Sequence, residues 1–335
     1  MVKARAATLT NYVEVAESVG LVPDRMLARA GLSREMLADP DRQIDGTAVA
    51  VILDDSARES GCMSFGLLMA EARPISGLGA VSLLVKNQRT LRDAIRVLIR
   101  YQHVLAETLL IGLDESGESA VIRADIMSQH QMTRQPIEMT VGEMCLAFTA
   151  IAGGNWHPES AHFTHAAPDD LRVHQRIFAC PLQFESDFNG LTCSRASLDA
   201  PVPDSEPELA RYAENSVELL MPAGSEGSAT ARVRRALYLL LPAGRGSLDQ
   251  VGAHLGLHPR AVQRQLAAES ASFGAVLNSV RRELAQRHLA TRAHSIEAIA
   301  VLVGFATLSS FSRWFGAEFG VSATEWRMGS RPEPD

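Results

Sequence analysis

The chain has 335 residues, of which 46% are apolar and 21% charged, and its formal net charge is −7. This composition is typical of a globular protein of two domains and excludes disordered and fibrous classes. No stretch approaches the roughly 18 consecutive apolar residues of a membrane span, and acidic residues within the first apolar stretch argue against a signal peptide. The four cysteines are scattered without a C-x-x-C pair, which indicates reduced thiols in the cytoplasm.

The charge is distributed unevenly along the chain. Residues 231–331 hold 13 Arg, no Lys and 6 acidic residues, a net charge of +7, whereas residues 1–230 carry a net charge of −12. A positive segment behind an acidic body indicates an anionic partner for the C-terminal part, with nucleic acid as the first candidate.

The first half of the N-terminal region is predicted to be helical. Helix-spaced apolar residues run through 9–30 and 46–60, and Gly31 is a plausible helix stop. Residues 90–107 form the clearest helix, with Thr90 as its N-cap and apolar side chains along one face.

Strand signals follow. The runs 108–113 and 119–126 are joined by DESGE and predict a β-hairpin. Residues 136–154 are helical again and end at a Gly-Gly pair. Further short strands are expected near 161–165, 182–185 and 191–194. The region is therefore predicted to be an α+β domain.

A linker separates this region from a helical C-terminal part. Residues 221–230 mix Pro, Gly, Ser and other small residues between two apolar-periodic regions, as linkers do. The predicted organisation is a domain over 1–220, the linker, and an all-α domain over 231–331.

The C-terminal pattern predicts two helix-turn-helix motifs. In the first, Ser247 caps a helix that Gly256 ends, and Pro259 stands at the first position of the next helix. A longer helix from Phe273 to about Leu289 follows. The second motif repeats the layout about fifty residues downstream: Ser295 caps a helix ended by Gly304, and another helix begins after Thr307.

The second helix of each motif has a polar outer face suited to the major groove of DNA. In the first motif, Val262 and Leu266 face inward, so Arg260, Gln263 and Arg264 face outward.

In the second motif, Phe311 and Phe315 face inward while Ser309, Ser310 and Arg313 face outward. A connecting helix of about 17 residues is roughly 25 Å long, and the flanking helices add their width to it. The two outer faces would then lie near the ~34 Å that separates successive major-groove faces on one side of a duplex.

Residues 247–327 resemble the double helix-turn-helix domain of AraC/XylS-family transcription regulators from end to end. The matching pieces are LGLHPRAVQRQL, VRRELAQRHL after an SF pair, SIEAIAVLVGF, FSRWF and GVSATEWR. Three departures are mild: Ser270 stands where the family usually has Gly, Ala323 replaces the usual Pro, and Val303-Gly304-Phe305 replaces LGF. The resemblance implies that the exposed positions of the two second helices read bases, namely Arg260, Ala261, Gln263, Arg264, Leu308, Ser309, Ser310 and Arg313.

The N-terminal region is similar to the arabinose-binding-like effector domain of one branch of that family. The matching pieces are 65–105, 163–168 and 178–209. This implies that 1–220 sense a small molecule and dimerise. The family name does not make arabinose the effector here, and the residues that would bind an effector are left unassigned.

The expected protein is a bacterial, cytoplasmic, ligand-responsive transcription regulator that acts by binding DNA and uses no cofactor, metal or catalytic residue. Its expected partners are operator DNA, an effector, a second copy of the chain and RNA polymerase. An effector-independent module, in which the N-terminal domain only dimerises, is the alternative.

Other interpretations of single residues are weaker. His157, His162, His165 and His174 fit no metal-ligand spacing and are read as surface or structural histidines. Gly77-Leu78-Gly79 lacks the third glycine and the preceding strand of a dinucleotide-binding loop.

Two further interpretations concern chemistry or a pocket. A DNA-repair methyl acceptor would need an activated cysteine, and Cys180 and Cys193 lack the surrounding pattern. Arg96, Arg100 and Tyr101 could line an effector pocket, but a solvated helix face is the favoured interpretation. The leucines and isoleucines of the same helix are expected in the core.

Overall fold

The computed structural model describes residues 2–127, 134–203, 205–220, 228–291 and 294–329. The chain divides into two compact units, Met1–Phe163 with Ala167–Ala223, and Gly224–Asp335 with Thr164–Ala166. Most of the predicted linker, 221–227, lies outside the described residues. None of the helices in the described part of the chain combines the length and apolar character needed to cross a membrane.

The first unit mixes helices with short strands. Its helices are α1 (Tyr12–Ser18), α2 (Pro23–Arg29), α3 (Arg34–Leu37), α4 (Gly46–Ser60), α5 (Phe65–Ala72), α6 (Ala80–Lys86), α7 (Leu91–Leu105), α8 (Arg134–Ile151), α9 (Arg172–Phe178) and α10 (Pro207–Leu220). Its strands are β1 (Lys3–Arg5), β2 (Gln43–Asp45), β3 (Leu109–Asp114), β4 (Ser119–Ile126), β5 (Ser160–His162), β6 (Leu182–Gln183) and β7 (Gly190–Ser194).

The predicted hairpin lies at one edge of the main sheet. Within the described residues this sheet has the order β3-β4-β7-β5-β6, antiparallel except for the parallel β5–β6 pair, and β1 pairs with β2 separately. Leu109 lies opposite Ile126 in the hairpin. The strands expected near 161–165, 182–185 and 191–194 correspond to β5, β6 and β7.

Two helices organise the interior of the first unit. The Thr90 side chain accepts from the backbone N–H of Asp93 and caps α7, as predicted, and Leu91, Ile95 and Leu98 of α7 are buried. Helix α8 packs so closely on α5 that a Cβ at Gly66 would lie 2.2 Å from the carbonyl oxygen of Gln135. The core therefore forms between these helices and the sheet.

The second unit is helical throughout the residues described. It comprises α11 (Ala229–Leu240), α12 (Leu248–His254), α13 (Pro259–Ala268), α14 (Phe273–Thr291), α15 (Ile296–Leu302), α16 (Leu308–Phe319) and α17 (Ala323–Met328). Both predicted helix-turn-helix motifs are present, as α12–α13 and α15–α16. Helix α11 starts at Ala229, inside the range predicted as linker.

Candidate nucleic-acid interface and internal cavity

The α12–α13 motif is held by local caps and two buried side chains. Ser247 and Gln250 form a reciprocal capping box at the start of α12. His258 accepts the backbone N–H of Arg260 at 3.3 Å, which orders the first turn of α13 behind Pro259. Val262 and Leu266 are fully buried, which fixes the rotation of α13 about its axis.

This rotation places the predicted base-reading residues of α13 at the surface. Arg260, Gln263 and Arg264 are exposed, and Ala261 is half-buried. The described residues offer no carboxylate within ion-pair distance of Arg260 or Arg264. Their guanidinium groups remain available to an anionic partner.

A carboxylate just after α13 ties this motif to the first helix of the unit. Glu269 accepts the backbone N–H groups of Ala229 at 2.6 Å and Thr230 at 2.9 Å, and the Thr230 hydroxyl at 2.7 Å. These hydrogen bonds from Thr230 hold the pKa of Glu269 below its usual range. Sequence reasoning missed this contact, which joins residues 39 or 40 positions apart.

The α15–α16 motif repeats the design with different side chains. Ser295 caps α15, and Thr307 accepts the backbone N–H of Ser310 at 3.2 Å to cap α16. Phe311 and Phe315 are fully buried, as predicted.

The outer face of α16 carries the second predicted set. Leu308, Ser309, Ser310 and Arg313 are all exposed. The Ser310 hydroxyl also accepts from the Thr307 hydroxyl at 2.9 Å, so Ser310 belongs to the helix cap as well as to the surface. Within the described chain Arg313 has no ion-pair partner.

Helix α14 holds the second motif through Arg281. Its guanidinium donates to the carbonyl oxygens of Val303 at 3.1 Å and Gly304 at 2.8 Å, and lies 4.2 Å from the ring centroid of Phe305. Burial lowers the pKa of Arg281. The arginine thus binds orphan carbonyls at the end of α15. The only sign of this contact in the sequence is the Arg281-Arg282 pair of the linking helix.

The first unit contains a cavity of about 330 Å³. Its wall is mostly aliphatic and draws on segments far apart in sequence, among them Val49, Leu78, Leu98, Leu105 and Met139. Two of these, Leu98 and Leu105, belong to the α7 face predicted as core. The aliphatic pattern alone gave no signal that distinguishes a cavity wall from a filled core.

An ion pair forms the most polar part of the wall. Arg73 Nη1 donates to both carboxylate oxygens of Glu143 at 2.8 Å, and Arg73 Nη2 donates to the Gly77 carbonyl oxygen at 3.3 Å. The Arg73 side chain is only 8% exposed, and its Nε has no hydrogen-bond partner among the described residues. Thr140 donates its hydroxyl to the Pro136 carbonyl oxygen at 2.8 Å.

The polar residues of α7 considered for a pocket lie elsewhere. Arg100 pairs with Glu214 at 2.5 Å, and the Tyr101 hydroxyl lies 3.4 Å from the same carboxylate. Arg96 lies 3.6 Å from Glu115. None of the three α7 side chains is among the described residues that line the cavity.

The histidines are engaged separately. His162 contacts the Ser160 hydroxyl at 2.8 Å and the Ser186 hydroxyl at 3.0 Å. His174 is buried, with Nε2 3.2 Å from Glu138. In the described part of the chain, no three His, Cys, Asp or Glu side chains come together in a way that could hold a metal ion.

The cysteine thiols lie in environments that disfavour the thiolate. Burial raises the pKa of Cys180 and of Cys193 to about 11, and that of Cys145 to about 12. A nucleophilic cysteine needs the opposite shift. These thiols therefore give no support to a methyl-acceptor reaction.

Comparison with known proteins relates both parts of the chain to transcription regulators. Residues 20–202 match the family described as "Arabinose-binding domain of AraC transcription regulator, N-term", and residues 251–329 match a helix-turn-helix domain family. The chain is 24% identical over 331 residues to the HTH-type transcriptional regulator VirS of Mycobacterium tuberculosis. This alignment covers 96% of each chain. It is 23% identical over 324 residues to the ornithine utilization regulator of Pseudomonas aeruginosa, covering 94% of this chain and 93% of that one.

Among solved structures, transcriptional regulator CdpR from Pseudomonas aeruginosa aligns with 96% of this chain and 97% of its own. The sequence identity is 19% and the TM-score is 0.44.

Proposed function

The chain belongs to the AraC family of DNA-binding transcription regulators with an arabinose-binding-like N-terminal domain and a C-terminal helix-turn-helix domain, and from this premise we propose that it reads its operator with α13 and α16. The mechanism is binding rather than catalysis. The base-reading positions are Arg260, Ala261, Gln263, Arg264, Leu308, Ser309, Ser310 and Arg313.

The observation that carries this proposal is the pair of unpartnered arginines on the two outer faces. Arg264 and Arg313 are exposed and have no ion pair within the described residues, while Val262 and Phe311 behind them are fully buried. An arginine presented in this way can donate two hydrogen bonds to guanine, and the neighbouring Gln263 can do the same to adenine.

Long-range electrostatics supports the same interface. The net charge of +7 over residues 231–331 attracts the phosphate backbone and supplies affinity that falls steeply with salt. Phosphate contacts set the register, and contacts to base edges discriminate between sequences.

The first unit is the proposed sensor and dimerisation domain. Its cavity can hold a small organic effector, and binding would shift the equilibrium between states of the regulator that engage DNA differently. As a homodimer it would act in the bacterial cytoplasm, with RNA polymerase as a further partner at promoters. Native mass measurement at high micromolar concentration tests the dimer, and a strictly monomeric chain contradicts it.

Selection from random operators tests the base-reading assignment. Wild type, Arg264→Ala and Arg313→Ala are each selected at fixed salt, with Arg172→Ala as the control, because Arg172 is exposed but paired with Asp170 in the first unit. Each helix variant should lose about 1–3 kcal/mol of operator binding and relax preference at one position.

The alternative outcomes separate two kinds of contact. An arginine that touches only phosphate weakens all sequences alike and lowers the salt slope by about one. Unchanged operator preference in both helix variants would overturn base reading by these arginines while leaving DNA binding intact.

A further inference from the structure

We infer that the cavity of the first unit takes a neutral, mainly aliphatic molecule, and that it does not take a sugar. The inference rests on the proposed sensing function and specifies the chemistry of its effector. It depends on three properties of the cavity: the side-chain types of its wall, its volume and its charge balance.

The side-chain types are wrong for a sugar. The described residues that line the cavity include no aromatic ring and no Asn or Gln, and the wall is mainly Ala, Leu, Ile, Val and Met. Each hydroxyl of a buried sugar needs a hydrogen-bond partner, because an unpaired hydroxyl in an apolar site is costly. The polar side chains of this wall are three threonines, Arg73, Glu143 and Glu71. Because the three charged ones are already in ion pairs, they cannot serve a ring of hydroxyls.

The volume favours a small ligand with an aliphatic body. At about 330 Å³ the cavity lies at the lower end of the range of roughly 300–1,000 Å³ for ligand pockets. Apolar surface gains free energy in proportion to the area it buries, so an aliphatic chain gains most from this wall.

The charge balance favours a neutral ligand. Arg73 already pairs with Glu143, and the other acid of the wall, Glu71, pairs with Arg176 at 2.7 Å. A carboxylate or ammonium group on the ligand would therefore enter without an uncommitted counter-ion, at a large desolvation cost.

The buried donor of the wall is not offered to a ligand. The Nε of Arg73 has no hydrogen-bond partner among the described residues, although both terminal nitrogens of that guanidinium are used. Gly77 packs against this Nε so closely that a Cβ there would lie 2.8 Å from it, and the nitrogen is covered. A ligand therefore gains its binding free energy from the apolar wall.

Isothermal titration calorimetry on the full-length chain tests the ligand class with methyl octanoate, sodium octanoate and L-arabinose. The ester should bind one molecule per chain, octanoate should bind about tenfold more weakly, and L-arabinose should give no binding heat. Binding of L-arabinose, octanoate binding as tightly as the ester, or no binding of the ester would each overturn the inference.

Two variants locate the site. Ala147→Phe fills the cavity from α8 and should abolish ester binding, whereas Ala28→Phe, on the exposed face of α2, should leave it unchanged. Far-UV circular dichroism and the urea-unfolding curve of each full-length variant, compared with wild type, show that its first unit is folded. If Ala147→Phe binds the ester normally, the cavity is not the site.

The outcomes keep the ligand class and the sensing function distinct. If octanoate or L-arabinose binds instead and Ala147→Phe abolishes that binding, the class is wrong and cavity sensing stands. If the ester binds in the cavity without changing operator affinity, the class stands and the proposed sensing function fails.

Discussion

The two units use their arginines differently. In the first unit, arginines pair with acids across elements, as in Arg5–Asp41 at 2.5 Å, Arg73–Glu143 at 2.8 Å and Arg92–Asp199 at 2.9 Å. In the second unit, Arg234 pairs with Glu283 and Arg282 with Glu318, but the arginines on the outer faces of α13 and α16 have no acid within ion-pair distance among the described residues.

The contrast distinguishes arginines that are already ion-paired within the fold from arginines that can still bind an anionic partner. An ion pair at the surface contributes little stability, yet it neutralises both charges for any third partner. Arg260, Arg264 and Arg313 have no compensating carboxylate, because acids are scarce in residues 231–331 and none of those described lies within ion-pair distance of them. Whether an arginine can bind phosphate or a base thus depends on the absence of a neighbouring carboxylate, and not only on the number of arginines in the segment.

The largest expected effect comes from placing another positive charge inside the second unit. His288 of α14 is buried, and desolvation, followed by Arg287 and His294, lowers its pKa to about 3. The unfolded chain protonates this histidine near pH 6.5. Between pH 6.5 and 3 only the unfolded state binds the extra proton. The free energy of unfolding therefore decreases by about 1.4 kcal/mol for each unit by which the pH is lowered.

Urea unfolding of a fragment that starts at Ser228, at pH 7.5, 6.0 and 5.0, measures this loss. His288→Leu should remove most of the slope. His258→Asn is the control, because it removes an exposed imidazole and keeps an N-cap acceptor for α13. Equal slopes in wild type and His288→Leu would show that another group governs the acid response.

The helix-turn-helix unit was largely predictable because its signals are local. Ser247, Ser295 and Thr307 cap helices within three residues, and the buried pairs Val262–Leu266 and Phe311–Phe315 repeat at i, i+4. These patterns need no knowledge of distant contacts.

The cavity and the ties between helices were not predictable on that basis. The wall combines residues from Ala4 to Ala150, each with the same apolar signal as a filled core. Likewise, the sequence predicts Glu269 and Arg281 as surface charges. In the fold, Glu269 accepts from backbone N–H groups of α11, and Arg281 donates to carbonyl oxygens at the end of α15. Such contacts depend on tertiary approach, which one sequence does not encode locally.

The DNA-binding unit should lose stability when it begins at residue 231 instead of Ser228. A fragment from residue 231 lacks Ser228, whose hydroxyl accepts the backbone N–H of Ala231 at 3.1 Å, and lacks both backbone partners of Glu269. Loss of the cap alone should lower the free energy of unfolding by about 1 kcal/mol relative to the fragment from 228.

Urea unfolding of the two fragments at pH 7.5 measures the difference, and Ser228→Ala in the longer fragment isolates the cap. Both fragments should still bind DNA at low salt, because the charge and both outer helices are retained. A folded fragment from 228 without DNA affinity would contradict the assignment of the second unit.

The smallest expected effect lies in the turns that end the two outer helices. Ser270 follows α13 at φ 56°, a left-handed conformation that costs a residue with a side chain about 1 kcal/mol, whereas Gly320 follows α16 at φ 72°. Ser270→Gly should therefore stabilise the unit by about 1 kcal/mol. Gly320→Ser should destabilise it by a similar amount, because a Cβ there meets no atom within 4 Å and only the backbone conformation opposes it.

Urea midpoints of both single variants and of the double variant measure the effects. The double variant should return to the wild-type value, because the two sites lie on different motifs and add independently. A loss of stability in Ser270→Gly would mean that the serine side chain makes a compensating contact, and the two helix ends would then differ in more than backbone strain.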